Sequence, residues 1–262
     1  MHVRAARPDD YDAWLSFWAQ LELGHPPPAR ERWVEHLAPH TIFLEDDGVL
    51  VAYNLSFAFG QRGDVRQVVV DQAVRRRGVG KQLMAAVAAK LRAAGCTEWR
   101  LEVKADNTAA TALYRAAGMA PHHDVYTVTI ARADAERFAA GKSGTQVTSA
   151  VIAEDDAALE AGLDLGAGQI ARWRAYRAHC PMVRVGHEAM TQVWTDFAPD
   201  LALLFPFAAP DPDVAAHLIA EALALSPQPA YEIQLTGAPI RAALLAAGAV
   251  AKDELVEYAG AL

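Results

Sequence analysis

Val65-Arg66-Gln67-Val68-Val69-Val70-Asp71-Gln72-Ala73-Val74-Arg75-Arg76-Arg77-Gly78-Val79-Gly80-Lys81-Gln82-Leu83 passes from a β-branched run through arginines and glycines into a segment whose apolar residues Leu83, Met84, Val87 and Leu91 share a helical face. The order is strand, glycine loop, helix. Such a loop is suited to an anion, because the first N–H groups of a helix lack internal acceptors and its dipole favours negative charge there. Two well-known phosphate loops do not fit. GxxxxGKS/T fails because Lys81 precedes Gln82 and residue 75 is Arg75. GxGxxG fails because Leu83 stands at its third glycine.

Outward from the loop, alternating elements are predicted on both sides. Val3–Ala6 reads as a strand, and Asp9-Asp10 precedes a helix carrying Tyr11, Trp14, Leu15, Trp18 and Leu21. A second helix is expected over Ala29–Leu37. Thr41–Leu44 and Val49–Phe59 form a hairpin about Glu45-Asp46-Asp47-Gly48, and Val65–Val70 is the next strand. After the glycine-loop helix come a strand at Glu98–Val103, a helix at Asn107–Ala117 closed by Gly118, and a strand at Val125–Ile130. This is the pattern of an α/β domain with a mixed sheet. Ala139-Ala140-Gly141-Lys142-Ser143-Gly144 reads as a linker, dividing the chain into residues 1–138 and 145–262.

The second half repeats the order. Leu201–Ala208, Val214–Leu225, Tyr231–Leu235, Ile240–Ala247 and Glu254–Tyr258 read as strand, helix, strand, helix, strand. Ala112-Leu113-Tyr114-Arg115-Ala116-Ala117-Gly118 aligns with Ala242-Ala243-Leu244-Leu245-Ala246-Ala247-Gly248 at an offset of 130 residues, which indicates a duplicated domain.

Composition narrows the function class. The chain has 262 residues, 53% hydrophobic and 21% charged, with no apolar run of membrane-spanning length and no leader-like start, so a cytoplasmic protein is expected. Cys96 and Cys180 lack metal or disulfide spacing and are read as buried thiols. The net charge of −8 falls in the second half, with 7 basic and 15 acidic residues after position 140 against 17 of each before it. Nucleic acid is not an expected partner, nor is a membrane.

Arg75-Arg76-Arg77-Gly78-Val79-Gly80 matches R/Q-x-x-G-x-G/A, and with it the sequence resembles the GCN5-related N-acetyltransferases, the GNAT superfamily. Asn107, Ala112-Leu113-Tyr114 and Gly118-Met119 follow the family's N-x-x-A-x-x-L-Y-x-x-x-G-F segment, with Ala110 standing in for or shifting the alanine and Met119 replacing phenylalanine. The resemblance covers roughly residues 3–131 and implies two GNAT-like acyl-CoA N-acyltransferase domains in tandem, the first active and the second degenerate. It implies acetyl-CoA as co-substrate, lying between splayed fourth and fifth strands, with no metal. Val68, Val69 and Val70 would pair with the pantetheine arm, while the amides of the loop spanning Arg75, Arg76, Arg77, Gly78, Val79, Gly80 and Lys81 would hold the pyrophosphate. Asn107 and Tyr114 complete that binding set.

The implied reaction is direct attack by an amine on the thioester. A primary amine of pKa ~10.4 is almost wholly protonated at neutral pH, so a proton acceptor is required, and the departing thiolate needs a donor. The resemblance gives Tyr114 the donor role. Asp64 is the first candidate acceptor and Glu102 the second, with Asp71 and His122-His123 nearby in sequence. In the second half Ala208-Ala209-Pro210-Asp211-Pro212-Asp213 replaces the arginine loop, Leu244 replaces Tyr114 and Gly237 replaces Asn107, so CoA binding is expected to be lost there. A non-catalytic acyl-CoA sensor or scaffold is the alternative. The acceptor, a small molecule or peptide, and the choice between monomer and homodimer stay open.

Overall fold

Residues 1–21, 26–142 and 148–262 are described in the computed structural model. Residues 143–147 lie outside them, so the Ser143-Gly144 end of the expected linker does too. The first unit comprises Met1–His122 and Glu257–Leu262; the second comprises His123–Val256. The fold is α/β, as the sequence implied, but these units cut the chain differently from a linear split at residues 138 and 145.

In the first unit β1 (His2–Ala5) leads to α1 (Tyr11–Trp18) and to a short α2 (Arg30–Arg32) that widens into a π-helical turn at Trp33–Leu37. β2 (Thr41–Asp46), β3 (Val49–Phe59) and β4 (Arg62–Val70) form an antiparallel meander. α3 (Val79–Ala93), β5 (Glu98–Lys104) and α4 (Thr108–Ala116) follow, with β5 parallel to β4. Trp14, Phe17 and Trp18 are spaced to share a helical face, and all three are buried. Trp14 stacks on Trp33 at 4.7 Å, and Phe17 meets the Tyr53 ring edge at 5.5 Å. On the opposite face of the sheet, α3 buries Leu83, Val87 and Leu91. A Cβ built on Gly63 of β4 would stand 2.6 Å from Leu91 Cδ1, so that strand position faces α3.

The second unit contains β6 (Ala120–Ala131), α5 (Arg132–Phe138), β7 (Thr148–Ala150), α6 (Asp156–Gly162), α7 (Gln169–Tyr176), β8 (Met182–Val185), β9 (Ala189–Ala198), β10 (Leu201–Ala208), α8 (Pro212–Leu225), β11 (Ala230–Thr236), α9 (Ala238–Ala246) and most of β12 (Val250–Ala261). β10 runs parallel to β11 and antiparallel to β9. Its core joins Leu204, Leu218, Ile219, Ile233 and Leu244. The duplication is visible in the element bounds: α9 and β12 begin and end 130 positions after α4 and β6.

The strand that follows α4 does not complete the first unit. β6 pairs antiparallel with β11 from Val125↔Thr236 to Ala131↔Ala230, inside the second unit. The place beside β5 is taken by the last residues of β12. There Leu262 N donates to Thr97 O at 2.8 Å, Tyr258 is buried, and Gly260 lies so close to the Gly118 carbonyl and Trp99 Nε1 that a Cβ would meet them at 2.9 and 3.0 Å. Each half of the sequence thus gives the end of its last strand to the other half's unit. Periodicity alone cannot assign a strand to one sheet or another, which is why a linear division is the natural reading of the sequence.

Cys96 and Cys180 are free and buried, as expected. No described helix is long and apolar enough to cross a membrane. A chain ending at Val256 should therefore lose amide-exchange protection in β5 of the first unit. Removal of the buried Tyr258 alone should cost about 3 to 5 kcal/mol. Protection lost only in the second unit would contradict the exchange.

Candidate active site

β4 carries one residue more than β3 can match. Leu55 pairs with Gln67 and Ser56 with Val65, so the register passes over Arg66 in a β-bulge. The parallel ladder between β4 and β5 runs only from Arg62↔Glu98 to Val65↔Leu101. It ends at the bulge. Beyond it Arg66–Val70 and Glu102–Lys104 separate, leaving a wedge whose β4 edge carries Val68, Val69 and Val70. A bulge bends and twists the strand that carries it, which accounts for the two events coinciding.

The glycine loop lies between the end of β4 and the start of α3. Gly78 is the helix N-cap at φ 82°, a left-handed conformation that favours glycine, and no side chain caps the helix. Gln82 N donates to Gly78 O, so the amides of Val79, Gly80 and Lys81 precede the first helical bond. Arg76 also has positive φ, at 66°. The two glycines serve different needs. Gly78 has open space where a Cβ would be, whereas at Gly80 a Cβ would stand 3.2 Å from Leu113 Cδ2, so Gly80 permits close approach of α3 and α4. Arg76, Arg77 and Lys81 are exposed. Arg75 is tied back, its Nε donating to Val70 O at 3.0 Å and its guanidinium reaching Gln20 Oε1 at 3.4 Å. It braces the loop against the strand. Asp71 accepts from Ala73 N at 2.8 Å and so shapes the turn between them.

α4 places the tyrosine. Asn107 Oδ1 accepts from Ala110 N at 3.1 Å, an N-cap that fixes where the helix starts. Two turns later Tyr114 is buried, its ring 6.2 Å from that of Tyr258. Among the described residues its hydroxyl makes no hydrogen bond. Burial pushes its pKa up to about 12, so the phenol holds its proton through the neutral range and can act as a donor.

The other face of the sheet is acidic. Gly63 and Val65 face α3, so Asp64 faces the α1 side, with Phe57 opposite it on β3. Arg100 is in register with Asp64, and Glu102 is the next residue of that face, where the wedge opens. Burial pushes the Asp64 carboxyl up, opposed by Arg66, whose Nη1 is 3.9 Å away, and by Arg62. Arg62 Nε itself donates to Glu98 Oε1 at 2.7 Å. One further carboxylate joins them that no motif signalled. Glu257 of β12 sits next to Tyr258, which faces α4, and therefore points to the acidic side, with its Oε1 3.5 Å from Arg100 Nη1. Burial pushes its pKa up to about 7. Arg100 and His122 oppose that rise; Glu102 and Asp64 add to it. His122 itself is exposed.

The second unit keeps the wedge and changes its chemistry. β10 pairs with β11 only at Ala202–Leu204, and its register with β9 shifts between Leu204 and Phe207. At the start of α8, however, Asp211 accepts from Val214 N at 2.9 Å, Pro212 follows, and Asp213 pairs with Lys142. An aspartate already occupies the helix N-terminus. Leu244, fully buried, stands where the first unit has Tyr114.

The sequence profile of the Acetyltransferase (GNAT) family matches residues 8–119. An acetyltransferase of Pectobacterium atrosepticum is 30% identical over 118 residues, 44% of this chain and 84% of that protein. The chain belongs to the GNAT acetyltransferase family. An acetyltransferase of Sodalis glossinidius is likewise 30% identical over 118 residues, 44% of this chain and 83% of its own. Two solved structures are alike along the whole chain. A Pyrococcus horikoshii protein described as an acetyltransferase covers 100% of this chain and 89% of its own, with TM-score 0.72 and 15% identity. A tandem GNAT protein from the clavulanic acid biosynthesis pathway covers 99% and 98%, with TM-score 0.64 and 18% identity. At these identities they share the fold. This acyltransferase thus shares its fold along the whole chain with a tandem GNAT protein, and its first unit carries the family's motifs.

Glu257 gives a stability prediction with a definite sign. A folded-state pKa of about 7 exceeds the ordinary glutamate value of 4.5, so the folded acetyltransferase binds this proton more tightly than the unfolded chain. Its contribution is fully present below pH 4.5 and is lost as pH rises through 7. Glu257→Gln, neutral at every pH, should therefore raise Tm at pH 8 relative to wild type by more than at pH 5. An equal shift at both pH values would contradict this environment for Glu257.

Proposed function

We propose that the first unit transfers the acetyl group of acetyl-CoA to an amine by direct attack in a ternary complex. The observation that carries this reading is the end of the β4–β5 ladder at Val65 and Leu101, on α4's side of which lies the uncommitted Tyr114 hydroxyl. The pantetheine arm lies in the wedge and pairs with the β4 edge at Val68–Val70, as an added strand would. The pyrophosphate meets the amides of residues 76–81, where the helix dipole and the charges of Arg76, Arg77 and Lys81 favour an anion. Arg75 and Asn107 act by holding the loop and the start of α4 in position. No step calls for a metal.

Placing the thioester in the plane of the sheet separates the two proton transfers. Tyr114 donates to the departing sulfur from the α4 side. The amine arrives from the α1 side, where Asp64 and Glu102 supply a negative field that favours a cationic acceptor. A phenol near 12 is a weak acid beside an aqueous thiol of pKa ~8.5, but the burial that raises Tyr114 also disfavours a free thiolate and narrows the gap.

Tyr114→Phe removes only the donor. Its dissociation constant for acetyl-CoA should stay within about twofold of wild type while turnover falls about 10²- to 10⁴-fold, read as CoA thiol release. Wild-type turnover in the variant would remove Tyr114 from the chemistry.

A further inference from the structure

Asp64 and Glu102 come from adjoining strands of the first half of the chain, but Glu257 reaches the same sheet face from the far end of the sequence. Its side chain is 15% exposed and fixed against Arg100, which also lies 3.8 Å from Glu98. Arg100 and Glu102 on β5, Asp64 on β4 and His122 just after α4 act on it, and His123 joins His122 within 4.8 Å of its carboxylate. A base that deprotonates an ammonium near neutral pH must be ionised there and still hold a proton well; an ordinary carboxylate meets only the first condition. Burial raises Asp64 as well, but Arg66 and Arg62 on its own strand oppose that rise and favour its anion. Arg100 and His122 draw Glu257 toward its anion, and two acidic neighbours, Glu102 and Asp64, oppose them.

We infer that Glu257, delivered by the last strand of the chain, accepts the proton of the attacking amine, while Asp64 and Glu102 hold the cation near it. The inference rests on the acetyl-transfer reading of this site. Glu257 removes one proton from the ammonium, and the freed nitrogen lone pair forms the C–N bond to the thioester carbon. As the tetrahedral intermediate collapses the C–S bond breaks, and sulfur takes the Tyr114 proton. The nitrogen's second proton replaces the one lost by Tyr114. Glu257 releases its proton to water, so one proton leaves per amide formed. The first unit's site is then incomplete without β12, which ties activity to the strand exchange.

The test uses full-length protein, acetyl-CoA and two probe amines, 1,4-diaminobutane and 1,6-diaminohexane, with thiol release followed from pH 5.5 to 9.5 and acetyl-CoA binding measured separately by calorimetry. Wild type should show an ascending limb in kcat/KM near pH 7. Glu257→Gln should lower kcat about 10²- to 10³-fold and abolish that limb, with the KM for acetyl-CoA within about twofold. Ionisation of the amines themselves is common to all variants and cancels in the comparison. Glu257→Asp, which restores a carboxylate, should recover part of the rate. Arg100→Gln should move the limb to higher pH, because Arg100 favours the Glu257 anion. A Glu257→Gln protein with wild-type turnover or an unchanged limb overturns the inference. So does loss of the limb in Asp64→Asn with its retention in Glu257→Gln. Wild type that binds acetyl-CoA but acetylates neither diamine also counts against it. Failure of wild type to bind acetyl-CoA would instead overturn the transfer reading.

Discussion

β4 holds one residue more than β3 can pair, and the register passes over Arg66. From that mismatch follow the twist of β4, the end of its ladder with β5 at Val65, and a wedge of unpaired backbone within the sheet of the first unit. An unpaired strand edge is normally a liability. In this position it is bounded by the N-terminus of α3 at one end and the buried Tyr114 on one face, with carboxylates on the other. Alternation along the strands keeps the phenol and the acids apart: Tyr258 packs toward Tyr114, and Glu257, its neighbour in sequence, points away from it.

Duplication preserved the geometry and altered the chemistry. β10 departs from β11 after Leu204 much as β4 departs from β5, and its register with β9 shifts in the same region. The helix that follows starts with Asp211, Pro212 and Asp213, so acids stand where the first unit presents glycine amides and arginines. This is the physical basis for assigning acetyl-CoA to the first unit alone. The strand exchange nonetheless gives Glu257–Leu262, from the second half of the chain, to the first unit.

The glycine loop, the strand before it, α4 and the repeat could all be read in the sequence, because each depends on local rules: helical periodicity, turn residues and a motif of fixed spacing. The elements between Thr148 and Ala198 were not. β7, α6, α7 and β8 are short, β9 is longer, and none of them carries a motif, so their identity depends on tertiary pairing. The site was legible where backbone conformation dictates the residue, as at Gly78 with its positive φ. Gly80 was legible only as a motif position, and the packing shows that its need comes from Leu113. Glu257 could not be found from sequence. Its significance comes from which sheet β12 joins, and nothing in Asp253-Glu254-Leu255-Val256-Glu257-Tyr258 specifies that choice.

The central claim is that the wedge of the first unit, and not its counterpart in the second, holds acetyl-CoA. A calorimetric titration of the full chain with acetyl-CoA at low and moderate salt tests it most directly. The account predicts one site per chain with micromolar affinity that weakens as salt rises, in keeping with a pyrophosphate held beside arginines. Two sites per chain, or no binding at millimolar ligand, would contradict it.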